Sequence, residues 1–357
     1  MSSSDSTTSD DELSSSTTES ISSDEEFEVF EYQPLDQGKG EIRLLKLDTS
    51  TVDDELISGS LETFSLRNCP PFRALSYEWG GKESPLHLII NGFIMEISPR
   101  LMLFVEYYCD AVNSIGTEAN EYIWIDQPSI NQQNITERNH QVQIMSDIFS
   151  RAVEVIAWLG PEHGEILDYL SSDDFYEWST SPALHLGHLP DPLEGFLDLS
   201  FWSRLWIQQE LVLAKGVIFM SGTTWIYAND MAELQNNNRI KEEPALHSAI
   251  TKLEYRKTPS LRFYYAITRF SCKICSEPRD KVYGIQAMLP EQDRVDIDYQ
   301  LSVDEVYKKA VEVYLGRPLS SNPAAGFLAE NIYGPIIGLG ISMGVEAEEA
   351  MATYKRL

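Results

Sequence analysis

Tyr122-Ile123-Trp124-Ile125-Asp126 is a short apolar run that ends in an acid. That is the pattern of a buried strand that surfaces at its carboxyl end. A polar loop follows over residues 127–133. Asn134 is then placed to cap a helix, and Glu137 stands three residues on, at the spacing of a capping box. Val142, Met145, Phe149 and Ala152 recur every three or four residues, which is one face of a helix. Residues 153–159 form a second apolar run, closed by Gly160-Pro161. Strand, helix of about five turns, strand is a βαβ unit, and such units imply a parallel sheet.

Working outward, residues 42–47 and 72–77 read as further strands, the latter ended by Trp79-Gly80-Gly81. Two apolar runs, 86–90 and 93–97, flank Asn91-Gly92. This pair supplies the two positive φ angles of a type I′ turn and predicts a hairpin. Residues 99–112 read as a helix with Leu101, Phe104, Val105 and Tyr108 on one face. Residues 162–200, with Pro182, Pro190 and Pro192, read as loop-rich; 201–215 read as one helix and 217–220 as a third apolar strand. The expected organisation is a disordered acidic Ser/Thr-rich tail over 1–26 and a folded region over 27–315. That region divides into an α/β core at about 72–222, whose strands 122–126, 153–159 and 217–220 share one largely parallel sheet, and a mostly helical extension over 223–315. A Gly/Pro/Ala-rich tail occupies 316–357. No internal repeat is apparent.

The composition is globular, with 43% hydrophobic and 11% aromatic residues. The formal net charge is -29, and residues 1–33 hold ten of the acidic residues and no Lys or Arg. A surface that acidic repels phosphate backbones, so nucleic acid is not an expected partner. Residues 1–26 cannot bury enough apolar surface to offset their ordering entropy, so their deletion is expected to leave the fold intact. Four cysteines are too few for a disulfide framework, and no secretory signal and no run long enough to span a membrane is visible. A cytoplasmic location is expected.

No Gly-rich phosphate loop, Gly-x-Ser-x-Gly elbow or His-Glu-x-x-His motif is present. Cys272-Lys-Ile-Cys275 lacks a second pair and reads as buried free thiols. His185 and His188 lack a third clustered ligand, so no metal is expected. Two acids stand out. Asp126 lies at a strand's carboxyl end, where open α/β sheets place ligands; its other reading is a hydrogen-bond acceptor for amides of the following loop. Glu210 lies one helical turn after Trp206, on the same face. An acid buried beside a Trp has a raised pKa suited to acid/base work, whereas a surface ion pair with Arg204 fits the pattern equally.

Four segments, in order and spacing, resemble the fungal heterokaryon-incompatibility (HET) domain family. They are Ala74-Leu75-Ser76-Tyr77-Glu78-Trp79-Gly80; Trp124-Ile125-Asp126 with Ile130-Asn131-Gln132, Glu137-Arg138 and Gln141-Val142; Phe201-Trp202 through Gln209-Glu210; and Pro278-Arg279-Asp280-Lys281-Val282-Tyr283-Gly284. The family usually has Cys before the Ile-Asn-Gln triplet, where this chain has Ser129. The resemblance implies fungal non-self recognition and programmed cell death, and a remote kinship to TIR domains with their flavodoxin-like sheet. Leu75-Ser76-Tyr77 and Trp206-Ile207-Gln208-Gln209-Glu210-Leu211 are similar to TIR patterns, with Ile207 in place of a TIR cysteine.

Two functions remain open on this reading. One is a signalling and assembly module that acts through protein partners or self-association, without chemistry or a cofactor of its own; the expectation leans this way. The other is a TIR-like enzyme that cleaves NAD as its substrate. Carried over, Glu210 would be catalytic, with Ser76, Trp79, Asp126, Asn131, Arg138, Arg204 and Trp206 as ligand-binding candidates. NAD is anionic, so this reading needs a cationic side chain at the site; Arg73, Arg138 and Arg204 are the available ones.

Overall fold

Apolar residues at both odd and even positions of the central runs require a sheet covered on both faces, because successive side chains in a strand point to opposite sides. The computed structural model describes residues 28–48, 57–81, 83–115, 121–181, 189–251, 263–315, 333–346 and 348–350. Its strands are β1 (Glu41–Asp48), β2 (Ser58–Ser65), β3 (Phe72–Tyr77), β4 (Leu86–Ile90), β5 (Phe93–Ile97), β6 (Tyr122–Trp124), β7 (Val155–Trp158), β8 (Val217–Ser221) and β9 (Thr224–Tyr227). They form one sheet in the order β5-β4-β2-β1-β6-β3-β7-β8-β9. Phe72, Ala74, Trp124, Val155, Ala157 and Phe219 join the apolar cluster on one face. Leu75, Tyr77, Ile123, Ile156, Trp158 and Met220 join the cluster on the other.

Helix α1 (Pro99–Ile115) covers the second face with Leu101, Phe104, Val105 and Tyr108. The short α2 (Asp126–Ser129) leads into α3 (Ile135–Arg151). On the first face α3 is joined by α4 (Gly164–Leu170), α5 (Asp173–Thr180), α6 (Asp191–Leu197), α7 (Leu205–Leu213), α8 (Asn238–Glu242) and α9 (Pro244–Thr251). A third cluster gathers α10 (Phe263–Phe270), α11 (Asp280–Tyr283), α12 (Val303–Leu315) and α13 (Tyr333–Ser342). Val142 of α3 and Leu205 and Trp206 of α7 pack against it. Those side chains make the seam between the sheet region and the C-terminal helices.

The α/β class holds, but the sheet is mixed rather than largely parallel. Parallel pairing runs through the centre, β6-β3-β7-β8, and recurs between β2 and β4. The β1/β2, β1/β6, β4/β5 and β8/β9 pairs are antiparallel. For β4/β5 and β8/β9 the physical reason is connection length: Asn91-Gly92 and Gly222-Thr223 are two-residue links, too short for any crossover. Asn91 (φ 54°) and Gly92 (φ 84°) are both left-handed, as the hairpin reading requires. Helix α3 does link β6 and β7 in one sheet, yet β3 lies between them. Strands β1 and β2 join the sheet from outside the 72–222 span, and β9 from just beyond it.

Two further expectations are corrected. Residues 162–200 contain α4, α5 and α6, of seven or eight residues each, too short to show a period. Pro192 sits in the first turn of α6, where a missing N–H breaks no helical bond. Residues 201–215 are not one helix: a 3-10 turn at Ser200–Ser203 is followed by Arg204 in extended conformation, and only then by α7. Residues 1–26, His185, His188 and 316–332, on which readings were placed, lie outside the described residues. No helix among the described residues is long and apolar enough to cross a membrane.

Candidate functional site

The break before α7 has a specific cause. Leu205 N–H donates to Ile274 O (2.9 Å) and Ile274 N–H to Ser203 O (2.7 Å), a β-bridge that pulls Arg204 out of the helix. Arg204 Nη1 then donates to Tyr77 O at the carboxyl end of β3. From this start α7 carries Glu210 under the sheet, where Ser76 Oγ of β3 donates to Glu210 Oε2 at 2.5 Å. Glu210 is 6% exposed. Burial pushes its carboxyl up to about 8; the Ser76 hydrogen bond opposes this, the charge of Asp126 adds to it, and Arg204 opposes it. The surface ion pair with Arg204 is therefore not what forms.

Asp126 follows β6 as the first residue of α2, so it emerges at the sheet's carboxyl end as read. Gly80 (φ 82°) turns the chain after Trp79 in a conformation open to glycine. Trp79 Nε1 donates to Asp126 Oδ2 (2.7 Å), while Asp126 Oδ1 is buried without a hydrogen-bond partner. Burial pushes the Asp126 carboxyl up to about 6, against the pull of the Trp79 hydrogen bond and the Arg204 charge. Of the two carboxyls, Glu210 is the one pushed further up and so holds its proton to the higher pH.

Both acids face one cavity of about 220 Å³ on the seam described above. Trp206 and Arg138 line its far side with Glu277, Asp280 and Tyr299. Asp280 is fully engaged: Tyr299 OH donates to Oδ1 (2.6 Å) and Trp206 Nε1 to Oδ2 (2.8 Å). Burial pushes the Asp280 carboxyl up to about 6, and those two hydrogen bonds restrain it. Helix α3 docks this part of the chain, since Asn139 Oδ1 accepts from Tyr299 N–H (3.2 Å) and Gln143 Oε1 from Ile297 N–H (3.2 Å).

Of the eight candidate residues, Trp79, Asp126, Arg138, Arg204, Trp206 and Glu210 line the cavity. Ser76 stands behind Glu210. Asn131 is elsewhere: its N–H donates to Glu137 Oε1 (2.7 Å) and its side chain accepts from Gln133 N–H (3.1 Å). Ser129, at the position of the family's cysteine, is buried, and its Oγ accepts from Ile125 N–H (3.4 Å) rather than lining the cavity. Arg73 pairs with Glu154 (3.1 Å) and Glu121 and is not in the cavity wall. Cys272 is exposed and Cys275 half-buried, which corrects the reading of both thiols as buried. Sequence reasoning missed Tyr77, Glu277, Asp280 and Tyr299. Asp280 lies in the quoted segment 278–284 and was legible there; Tyr299 carries no sequence signal, because it enters through a long irregular stretch.

The arrangement defines a class: an α/β domain with a pocket at the carboxyl end of its parallel strands, holding two coupled acids between cationic and aromatic walls. Residues 72–210, from the start of β3 to Glu210, match the family described as Heterokaryon incompatibility protein (HET). It is similar to Heterokaryon incompatibility protein 6, OR allele, of Neurospora crassa, with 27% identity over 140 residues, 36% of this chain. That match spans 21% of the relative's length, so the chain resembles a part of it. No solved structure matches the chain.

Proposed function

We propose that the protein acts in fungal non-self recognition and programmed cell death in the cytoplasm, and that it kills by cleaving the nicotinamide–ribose bond of NAD. The observation that carries this reading is the Ser76–Glu210–Asp126 arrangement at the mouth of the central strands, together with the TIR-like patterns that supply Ser76 and Glu210. The bond from C1′ to the ring nitrogen breaks with its electrons leaving on nicotinamide, and a ribosyl cation develops at C1′. A carboxylate beside C1′ stabilises that cation, as in glycoside chemistry. The cationic ring of the substrate favours ionisation of the nearby Glu210, so binding draws the pair into its doubly charged, cation-stabilising state. Water then attacks C1′ and gives its proton to one of the two carboxylates.

The competing reading is an assembly module that provokes death through protein partners or self-association alone. Expression in fungal cells separates the two. Cells carrying the wild-type chain are expected to lose NAD before viability, and cells with Glu210→Gln or Asp126→Asn to keep both. Undiminished killing by stably expressed Glu210→Gln leaves only the assembly reading.

A further inference from the structure

The wall of the cavity contains more charge than the cleavage chemistry uses, and its pairing is unequal. Asp280 has both oxygens occupied by Tyr299 and Trp206. Glu277 accepts from Arg279 Nε at 2.7 Å and Nη2 at 2.9 Å, a bidentate pair that holds its carboxyl below the usual range. Arg279 Nη1 donates to Tyr299 O and to Leu301 O (2.7 Å). Arg138 is different. It lies in the first turns of α3, and its guanidinium stacks over the Tyr299 ring at 4.3 Å. Its Nε is buried without a hydrogen-bond partner, and its guanidinium makes no hydrogen bond or ion pair among the described residues. Of the three arginines considered for an anionic ligand, Arg73 is paired outside the cavity and Arg204 is bound to Tyr77 O beside the two acids. Among the described residues Arg138 is the arginine of the cavity wall whose guanidinium has no hydrogen bond or ion pair.

A planar guanidinium seated over an aromatic ring, with its Nε unmatched, suits a bidentate oxyanion. Filling the neighbouring carboxylates with internal donors removes its competitors, and the first turns of a helix favour a negative charge. We infer that Arg138, held by Tyr299, is a phosphate-binding subsite, and that the ligand is a nucleotide whose phosphate lies there while its heterocycle lies toward Asp126 and Glu210. The inference rests on the proposed NAD reading and narrows it, making the mononucleotide half with its phosphate the recognised unit.

The test titrates the full chain with reduced nicotinamide riboside and reduced nicotinamide mononucleotide. These differ by one phosphate, and their uncharged ring is a poor leaving group. Wild-type protein is expected to bind the mononucleotide roughly ten- to a hundredfold more tightly, the range of one charge-assisted contact. Arg138→Gln is expected to erase that difference with riboside affinity kept, and Arg138→Lys to restore part of it. Equal affinity of wild-type protein for the two ligands overturns the inference without reference to any variant, so a poorly folding Arg138→Gln does not shelter it. Pyrophosphate that binds in an Arg138-dependent way, with no mononucleotide preference, overturns the nucleotide assignment in favour of a free anion. Nicotinamide release from NAD is followed separately. A phosphate preference without release upholds the subsite and sinks the cleavage reading, whereas release without a phosphate preference does the reverse.

Discussion

Glu210 stores a pH dependence that its geometry makes measurable. Its folded pKa of about 8 lies above the usual carboxyl value of 4.5, because burial disfavours the charged form. The folded chain therefore holds this proton more tightly than the unfolded chain does. The resulting stability is complete below about pH 4.5 and is lost as pH rises through about 8. Asp126 contributes in the same sense over the lower window, from 3.8 to about 6. Melting temperature is expected to fall between pH 5 and pH 8.5 in wild-type protein and to fall distinctly less in Glu210→Gln, which cannot ionise; identical slopes would contradict the assigned burial. The position of this acid was legible, since Trp206 and Glu210 sit one turn apart in a short segment. Its Ser76 partner was legible only through the family resemblance. Tyr299 and the free guanidinium edge of Arg138 were not, because both depend on which distant segment docks against α3.

At the scale of elements, the strands and the βαβ unit follow from local apolar pattern, which period and length encode directly. Strand order does not: nothing local tells that β3 slips between β6 and β7, or that β1 reaches β6 from upstream. The same holds for the α3 start. Asn134 caps it by accepting from Glu137 N–H (3.1 Å), as read, but Glu137 does not return the bond. Its carboxylate instead pairs with Arg43 of β1, through Nη1 at 2.6 Å and Nη2 at 3.1 Å. Arg43 also donates to Ser129 O (2.9 Å) and Gln33 O (2.6 Å), and its guanidinium lies 4.8 Å from the Tyr32 ring centre. One buried ion pair thus ties β1, the 129–131 loop and α3 behind the site. Arg43→Met strands the buried Glu137 charge and is expected to cost about 3–5 kcal/mol in urea unfolding. A loss under about 1 kcal/mol, the range of a surface pair, would contradict that role.

At the scale of the whole molecule, the family match over 72–210 covers less than the fold that supports it. It leaves out β1 and β2, which extend the sheet beyond β6, and β8, which pairs with β7. It also leaves out Asp280 and Tyr299, which close the cavity. A fragment restricted to residues 72–210 exposes the apolar flanks of β6 and β7 and is expected to lack a cooperative thermal transition by circular dichroism. A sharp transition near that of the full chain would show that the excluded strands are dispensable. The central claim is that the seam between the sheet and the C-terminal helices is a reactive pocket and not only a packing interface. Nicotinamide released from NAD by the purified full chain tests it most directly. Release by wild-type protein, reduced by roughly two to three orders of magnitude in a folded Glu210→Gln variant, is the result expected; no release by folded wild-type protein, or equal release by the variant, would contradict it.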